Sequence, residues 1–320
     1  RRTFIAAATG ALALAAAPAF AQEPFPNKTI KIIVPFTAGG IVDSIARTLG
    51  EKLATRTGQP VIVENKVGAG GAIGTDFVAK SPADGYTLLL VSPGHAVAPT
   101  LQKGVTWSPV RDFKAVAGIG IVPNVIVVHP SVAAKNMNDL IELARKHPLT
   151  YATAGIGTSN HLSGELLAQE AGIKLTHVPY KGQPDALNDL LGGRVDMMPL
   201  TAALAMQHVK AGKLRALAVT TSRRASAAPD LPTVAEAAKL PNYDVGTWFG
   251  LVAPAKVPDA VMRKLSADVN DILAMPDVKV KLEGMGMEFA PQKGPDFDAF
   301  VNREFAKWSK VIKQAGIEPQ

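Results

Sequence analysis

Two short segments combine glycine with small hydroxyl and amide side chains just before an amphipathic run. They are Phe36-Thr37-Ala38-Gly39-Gly40 and Gly155-Ile156-Gly157-Thr158-Ser159-Asn160. If each opens a helix, the first backbone N–H groups of that helix have no intrahelical acceptor. Together with the helix dipole they make an anion site that needs no lysine or arginine. Glycine lets a ligand oxygen approach the backbone, and Thr or Asn side chains can add hydrogen bonds. One such segment alone is better explained as a turn that caps its helix. Two of them, in separate strand–loop–helix units, point to opposed grips on one small anion. Both follow strands, and open parallel sheets bind ligands at the carboxyl ends of their strands. The candidate contacts are Phe36, Thr37, Ala38, Gly39 and Gly40 on one side and Gly157, Thr158, Ser159, Asn160 and His161 on the other. Ser92, after the run 88–91, is grouped with them.

Other chemistries find less support. The stretch Gly68-Ala69-Gly70-Gly71-Ala72-Ile73-Gly74 invites a dinucleotide reading, but the third glycine of G-x-G-x-x-G would fall at Ile73, so a flexible inter-element loop is expected there. No G-x-x-x-x-G-K-[ST] run and no G-x-S-x-G elbow occurs. The six histidines (95, 129, 147, 161, 177 and 208) include no i, i+4 pair of histidines, so no metal is expected. There is no cysteine, hence no disulfide framework, zinc-thiolate cluster or thiol nucleophile. No cofactor is expected. A dispersed triad stays open, because triads are recognised by geometry, and Ser92, Thr158 or Ser159 with His95 or His161 would supply one.

The elements that must position these residues alternate along the chain. Lys31-Ile32-Ile33-Val34 reads as a strand, and Ile41, Ile45, Leu49 and Leu53 recur as the stripe of an amphipathic helix. Further strands are expected at 61–63, 88–91, 125–128, 149–153, 176–178, 195–197 and 216–219, with a helix from 161 to 171. This alternation predicts an α/β architecture with mostly parallel sheets covered on both faces. The stretch from 258 to 320 reads as mainly helical, with Phe297, Phe300, Val301, Phe305 and Trp308 on one core stripe.

The chain opens Arg1-Arg2-Thr3-Phe4-Ile5, runs apolar and Ala-rich, and reaches Ala19-Phe20-Ala21, the layout of a signal peptide over 1–21 cleaved after Ala21. The paired arginines fit a twin-arginine address as well as an ordinary secretory signal. The expected location is the periplasm. The rest is long enough for two lobes, with 47% hydrophobic and 19% charged residues. Net charge is +7, but the basic residues are scattered with few aromatics between them, which argues against nucleic acid. A mildly positive field favours an anionic ligand.

Several motifs resemble those of Bug-type receptors, the periplasmic substrate-binding proteins of tripartite tricarboxylate transporters. They begin with 35–40 together with Asp43, Ala46 and Arg47, then Glu64-Asn65-Lys66 before the glycines at 68–71. They continue through Asp84-Gly85-Tyr86, Gly155-x-Gly157-Thr158 with His161-Leu162, Pro179-Tyr180-Lys181-Gly182 and Gly192-Gly193-x-Val195-Asp196. The runs 211–220, 231–236 and 248–254 complete a likeness over nearly the whole chain. The resemblance implies a two-lobe periplasmic-binding-protein fold of the Venus-flytrap, type II-like kind, with two hinge crossings. It implies carboxylate binding between the same two loops, the first partly through bridging waters, and delivery to integral membrane transporter subunits. Thr37, Ala98 and Pro199 depart from the family pattern and reshape the pocket. Asp196 is read either as a ligand contact or as the end of a strand, Asp43 as complementing its helix N-terminus, and Tyr180 and His95 as lining the cleft. Lobe 1 is expected over 22–123 and 222–320, lobe 2 over 124–221, with crossing strands at 125–128 and 249–252 and a monomeric chain. A receptor feeding a membrane sensor kinase and a periplasmic hydrolase are the alternatives.

Overall fold

β-Branched and leucine-rich runs become strands, and the glycine-punctuated segments after them turn into helices. The computed structural model describes residues 25–180 and 182–319; the export segment expected over 1–21 lies outside them. β1 (Ile30–Val34), α1 (Ile41–Thr57), β2 (Val61–Asn65), α2 (Ala72–Ala79), β3 (Thr87–Val91) and α3 (Gly94–Leu101) come first. β4 (Phe113–Val128) leads to α4 (Met137–Lys146), β5 (Leu149–Thr153), α5 (Ser159–Ala171), β6 (Leu175–Pro179), α6 (Gln183–Leu191), β7 (Met197–Thr201), α7 (Ala202–Lys210) and β8 (Arg215–Val219). The chain finishes through α8 (Val234–Ala238), β9 (Gly246–Pro254), α9 (Asp259–Leu273), α10 (Pro276–Glu283), β10 (Glu288–Lys293) and α11 (Gly294–Gln314).

The strands run in the order β2-β1-β3-β9-β4-β7-β5-β6, with β8 and β10 also paired to β4. The outer pairs are parallel, as expected from the alternation, whereas every pair involving β4 or β9 is antiparallel. β4 is the pivot of a two-lobe fold. Its residues 113–123 pair with β9, and its residues 124–128 pair with β7 and β8.

The crossings differ from the sequence reading. β4 begins well before 125, in a stretch where glycines hide the strand pattern. Those glycines serve close packing: a Cβ at Gly118 would sit 2.7 Å from Phe297, and one at Gly120 would sit 2.7 Å from the Glu288 carbonyl oxygen. β9 does not cross, since it pairs only with β3 and the first part of β4. The return path is the mostly irregular segment 220–245, in which Ala225, Leu231, Val234, Tyr243 and Val245 pack with second-lobe residues. α11 also touches both sides. Phe297 and Val301 pack against Trp248 and Leu89, while Trp308, Val311 and Ile312 pack with Tyr151 and Leu162.

The segment 68–74 is not an open loop. Gly68, Gly70 and Gly71 take positive φ in a single tight turn that runs straight into α2. A Cβ at Gly74 would lie 2.8 Å from the Lys66 carbonyl oxygen, so this glycine lets α2 press on the chain after β2. No helix among the described residues is long and apolar enough to cross a membrane.

Candidate ligand-binding cleft

A cleft of about 400 Å³ opens where the lobes meet. Its lobe 1 wall comes from Phe36, the first residues of α1 (Ile41 and Val42), Ser92 and the face of α3 carrying Val97, Ala98, Leu101 and Gln102. Val122, Thr247 and Phe249 of the central strands form its floor, and Ile156, Gly157, Thr158, Ser159, Asn160, Gln183 and Thr201 its lobe 2 wall. Among the described residues, none that lines it is Lys, Arg, His, Asp or Glu. A wider and shallower groove of about 670 Å³, between α7, β8 and 227–231, holds Lys210, Arg215 and Asp230, and neither glycine loop reaches it.

The second loop is built from behind by hydrogen bonds. Gly155 and Gly157 adopt φ of +121° and +79°, conformations that favour glycine. Thr158 is the N-cap of α5: its hydroxyl donates to the Gly155 carbonyl at 2.7 Å and accepts the His161 N–H at 3.4 Å. Gly157 donates its N–H to His161 Nδ1 at 3.3 Å, so the neutral ring carries its proton on Nε2, 3.7 Å from a Glu165 carboxylate oxygen. That ring lies 4.4 Å from His177, whose Nε2 is 2.7 Å from the Thr153 hydroxyl, which also accepts the Gly155 N–H at 3.2 Å. Burial holds His161 down to about 3 and His177 down to about 4, so both rings are neutral. The Ser159 hydroxyl pairs with that of Thr247 at 2.6 Å and accepts from Asn124 Nδ2 at 3.2 Å, tying α5 to β9 and β4. Asn160 Nδ2 donates to the Pro199 carbonyl. What the loop offers the cleft is therefore the backbone N–H groups of Ser159 and Asn160, which open α5 and have no acceptor within it.

The first loop is held differently. Of its residues only Phe36 lines the cleft, while Thr37, Ala38, Gly39 and Gly40 are exposed. Gly40 caps α1 without a side chain, and Gly39 donates its N–H to Asp43 Oδ2 at 3.0 Å. Asp43 also accepts from Arg47 at 2.9 and 3.0 Å and from Asn65 Nδ2 at 3.0 Å. The Arg47 hydrogen bond is the main reason its carboxyl is held down to about 2. Asp43 thus folds the turn back onto α1 and does not face the cleft.

Ser92 lines the cleft, but Asp196 does not. Asp196 precedes β7, at the opposite end from the cleft residue Thr201, and its carboxylate accepts both the N–H and the hydroxyl of Thr150 at 2.7 Å. His161 sits behind the second loop rather than on the cleft surface. Tyr180 points its hydroxyl to Asp189 at 2.7 Å. His95 is buried against Trp107 and Phe113 with neither ring nitrogen partnered, and burial pushes it down to about 3. For the hydrolase alternative, the Thr158 and Ser159 hydroxyls are engaged with Gly155, the His161 backbone, Thr247 and Asn124, not with an imidazole ring. Of the α3 face the sequence reading placed only Ala98 at the pocket; it missed Val97, Leu101 and Gln102, as well as Gln183, Thr201 and Thr247. Ser92-Pro93-Gly94 repeats the strand–small residue–helix pattern of the two chosen loops and was a signal for α3.

Residues 45–317 match the model of the tripartite tricarboxylate transporter family receptor. The protein of the tcbD-tcbE intergenic region of a Pseudomonas species is 38% identical over 98% of this chain and 94% of its own length. Among solved structures, R. palustris Rpa4515 with adipate is 36% identical, with a TM-score of 0.79 over 93% of this chain and all of that one. The periplasmic binding protein BugD is also 36% identical, with a TM-score of 0.77 over 92% of this chain and all of that one.

Proposed function

Because the chain belongs to the tripartite tricarboxylate transporter receptors, we propose that it is a periplasmic receptor that binds a small carboxylate between its lobes and hands it to membrane transporter subunits. One observation carries the reading. Among the described residues the cleft is lined by no ionisable side chain, yet the N-terminal turns of α1 and α5 both open onto it. A carboxylate there is held by backbone N–H groups and helix dipoles, which supply partial positive charge without a mobile cation. The adipate carried by Rpa4515 accords with such a ligand.

The exposed residues 37–40 reach the ligand by hinge closure, the usual motion of periplasmic binding proteins. The hinge is β4 where its pairing changes at 123–124, together with the return segment 220–245. Export uses the segment 1–21, cleaved after Ala21, and the released receptor is monomeric. Asp196 stabilises the start of β7 in lobe 2, not the ligand. A thermal-shift screen over mono-, di- and tricarboxylates tests the reading, because a ligand at about 100 times its Kd adds about 2.7 kcal/mol of stability. A panel in which no carboxylate raises the melting temperature rules it out.

A further inference from the structure

The cleft's polar and apolar surfaces are unequally placed, and the inequality names a class of ligand within the carboxylate-receptor reading on which it rests. A Cβ added at Gly157 would lie 3.4 Å from Leu101 Cδ1 and 3.5 Å from Val97 Cγ2. The apolar face of α3 therefore lies directly against the second loop. With Phe36, Val122, Ile156 and Phe249 it forms a hydrocarbon wall beside the place where α5 offers its N–H groups. Polar side chains on the other wall are largely committed: Thr158 to Gly155, Ser159 to Thr247, Asn160 to Pro199, and Thr201 to Gln183.

We propose that the receptor selects acids with a hydrocarbon body, aliphatic or aromatic, over hydroxylated or tricarboxylic acids of similar size. The carboxylate sits at the α5 N-terminus and the body lies along Val97, Leu101 and Ile156. Each methylene placed on that wall leaves water and tightens binding roughly fourfold. A hydroxyl or extra carboxylate set against the Val97, Leu101 and Ile156 side chains, away from Gln102, loses its water with no partner among them, which weakens binding roughly tenfold or more.

Calorimetric titration of the full mature chain tests this with acetate, butyrate, hexanoate, adipate and benzoate against malate and citrate. The expected result is affinity rising with each methylene until the cleft is filled, with malate and citrate at least tenfold weaker than the hydrocarbon acid nearest in size. Val97→Thr, or Ile156→Thr at a half-buried site if the first variant folds poorly, should weaken hexanoate several-fold more than it weakens acetate. A flat series, or citrate or malate binding as tightly as adipate, overturns the selectivity while leaving the receptor reading standing. Absence of binding by every acid overturns both.

Discussion

The two glycine turns at the cleft share a pattern and differ in what stands behind them. Loop 36–40 is solvent-exposed and anchored by an Asp43–Arg47–Asn65 cluster whose arginine is half in water. Loop 155–160 is half-buried or buried and anchored by two neutral imidazoles and the Thr153 and Thr158 hydroxyls. The Asp43 carboxylate is buried, but its Arg47 partner stands half in water, so that pair is partly screened by salt. Neutral hydrogen bonds in a desolvated network hold a loop in one arrangement, because any group left unpaired there is costly. The same local sequence grammar thus yields one loop locked from behind by buried groups and one whose residues 37–40 stand in solvent.

The largest expected difference between them comes from matched substitutions. Gly39 and Gly157 both have positive φ, +84° and +79°, so Val in either place is strained by about 1–2 kcal/mol. At Gly39 an added Cβ meets nothing within 4 Å, while at Gly157 it meets Leu101 and Val97. Gly157→Val should abolish carboxylate binding and lower the melting temperature further than Gly39→Val, which keeps measurable binding. Equal losses in calorimetry would remove the distinction between the loops.

Acid should separate them next. His161 and His177 titrate below their ordinary range, so the unfolded chain takes up protons that the native loop refuses. Stability contributed around loop 155–160 is therefore full above pH about 7 and falls between about 6.5 and 4 for His177 and on to about 3 for His161. Asp43 is also depressed, but as a carboxyl: its contribution is full above about pH 4–5 and falls only as the pH approaches 2. Melting curves across pH should show the upper slope shrink in His177→Gln and persist in Asp43→Asn; a slope unchanged by the histidine replacement contradicts the assignment.

Thr158→Ala removes a side-chain cap from α5 and should cost about 1 kcal/mol. Gly40→Ala removes no side-chain bond from α1, but alanine is a poorer N-cap than glycine, so it should cost somewhat less than Thr158→Ala. Ligand affinity in Thr158→Ala should stay close to wild type, because that hydroxyl already serves the loop; a tenfold loss would make it a ligand contact. The smallest effect concerns salt. With no basic side chain among the described residues of the cleft, affinity should change by no more than about twofold between low and physiological ionic strength, and a steep titration would move binding to a surface basic patch.

Much of the fold was legible. The strand at 149–153 and the helix stripe of Ile45, Leu49 and Leu53 follow from apolar periodicity alone. The start of β4 was not, since Gly118, Gly120 and Pro123 break the β-strand signal while serving packing that only the neighbours reveal. Gly157, Thr158, Ser159 and Asn160 were legible as cleft residues because helix N-termini announce themselves locally. The α3 face was harder to find. An apolar run such as 94–101 reads the same whether it meets a core or a ligand.

By itself the sequence determined the alternation of elements, the two turns that open α1 and α5, the absence of cysteine and the family to which the chain belongs. These depend on neighbours in the chain, through periodicity, capping and backbone freedom. The tertiary structure alone decided that Asp196 sits at the far end of its strand, that residues 37–40 face water, that β4 belongs to both lobes, and that Val97 and Leu101 lie against Gly157. Each of these is a contact between segments distant in the chain. Such contacts are set by which apolar faces bury one another and which buried polar groups find partners, and no local pattern encodes them.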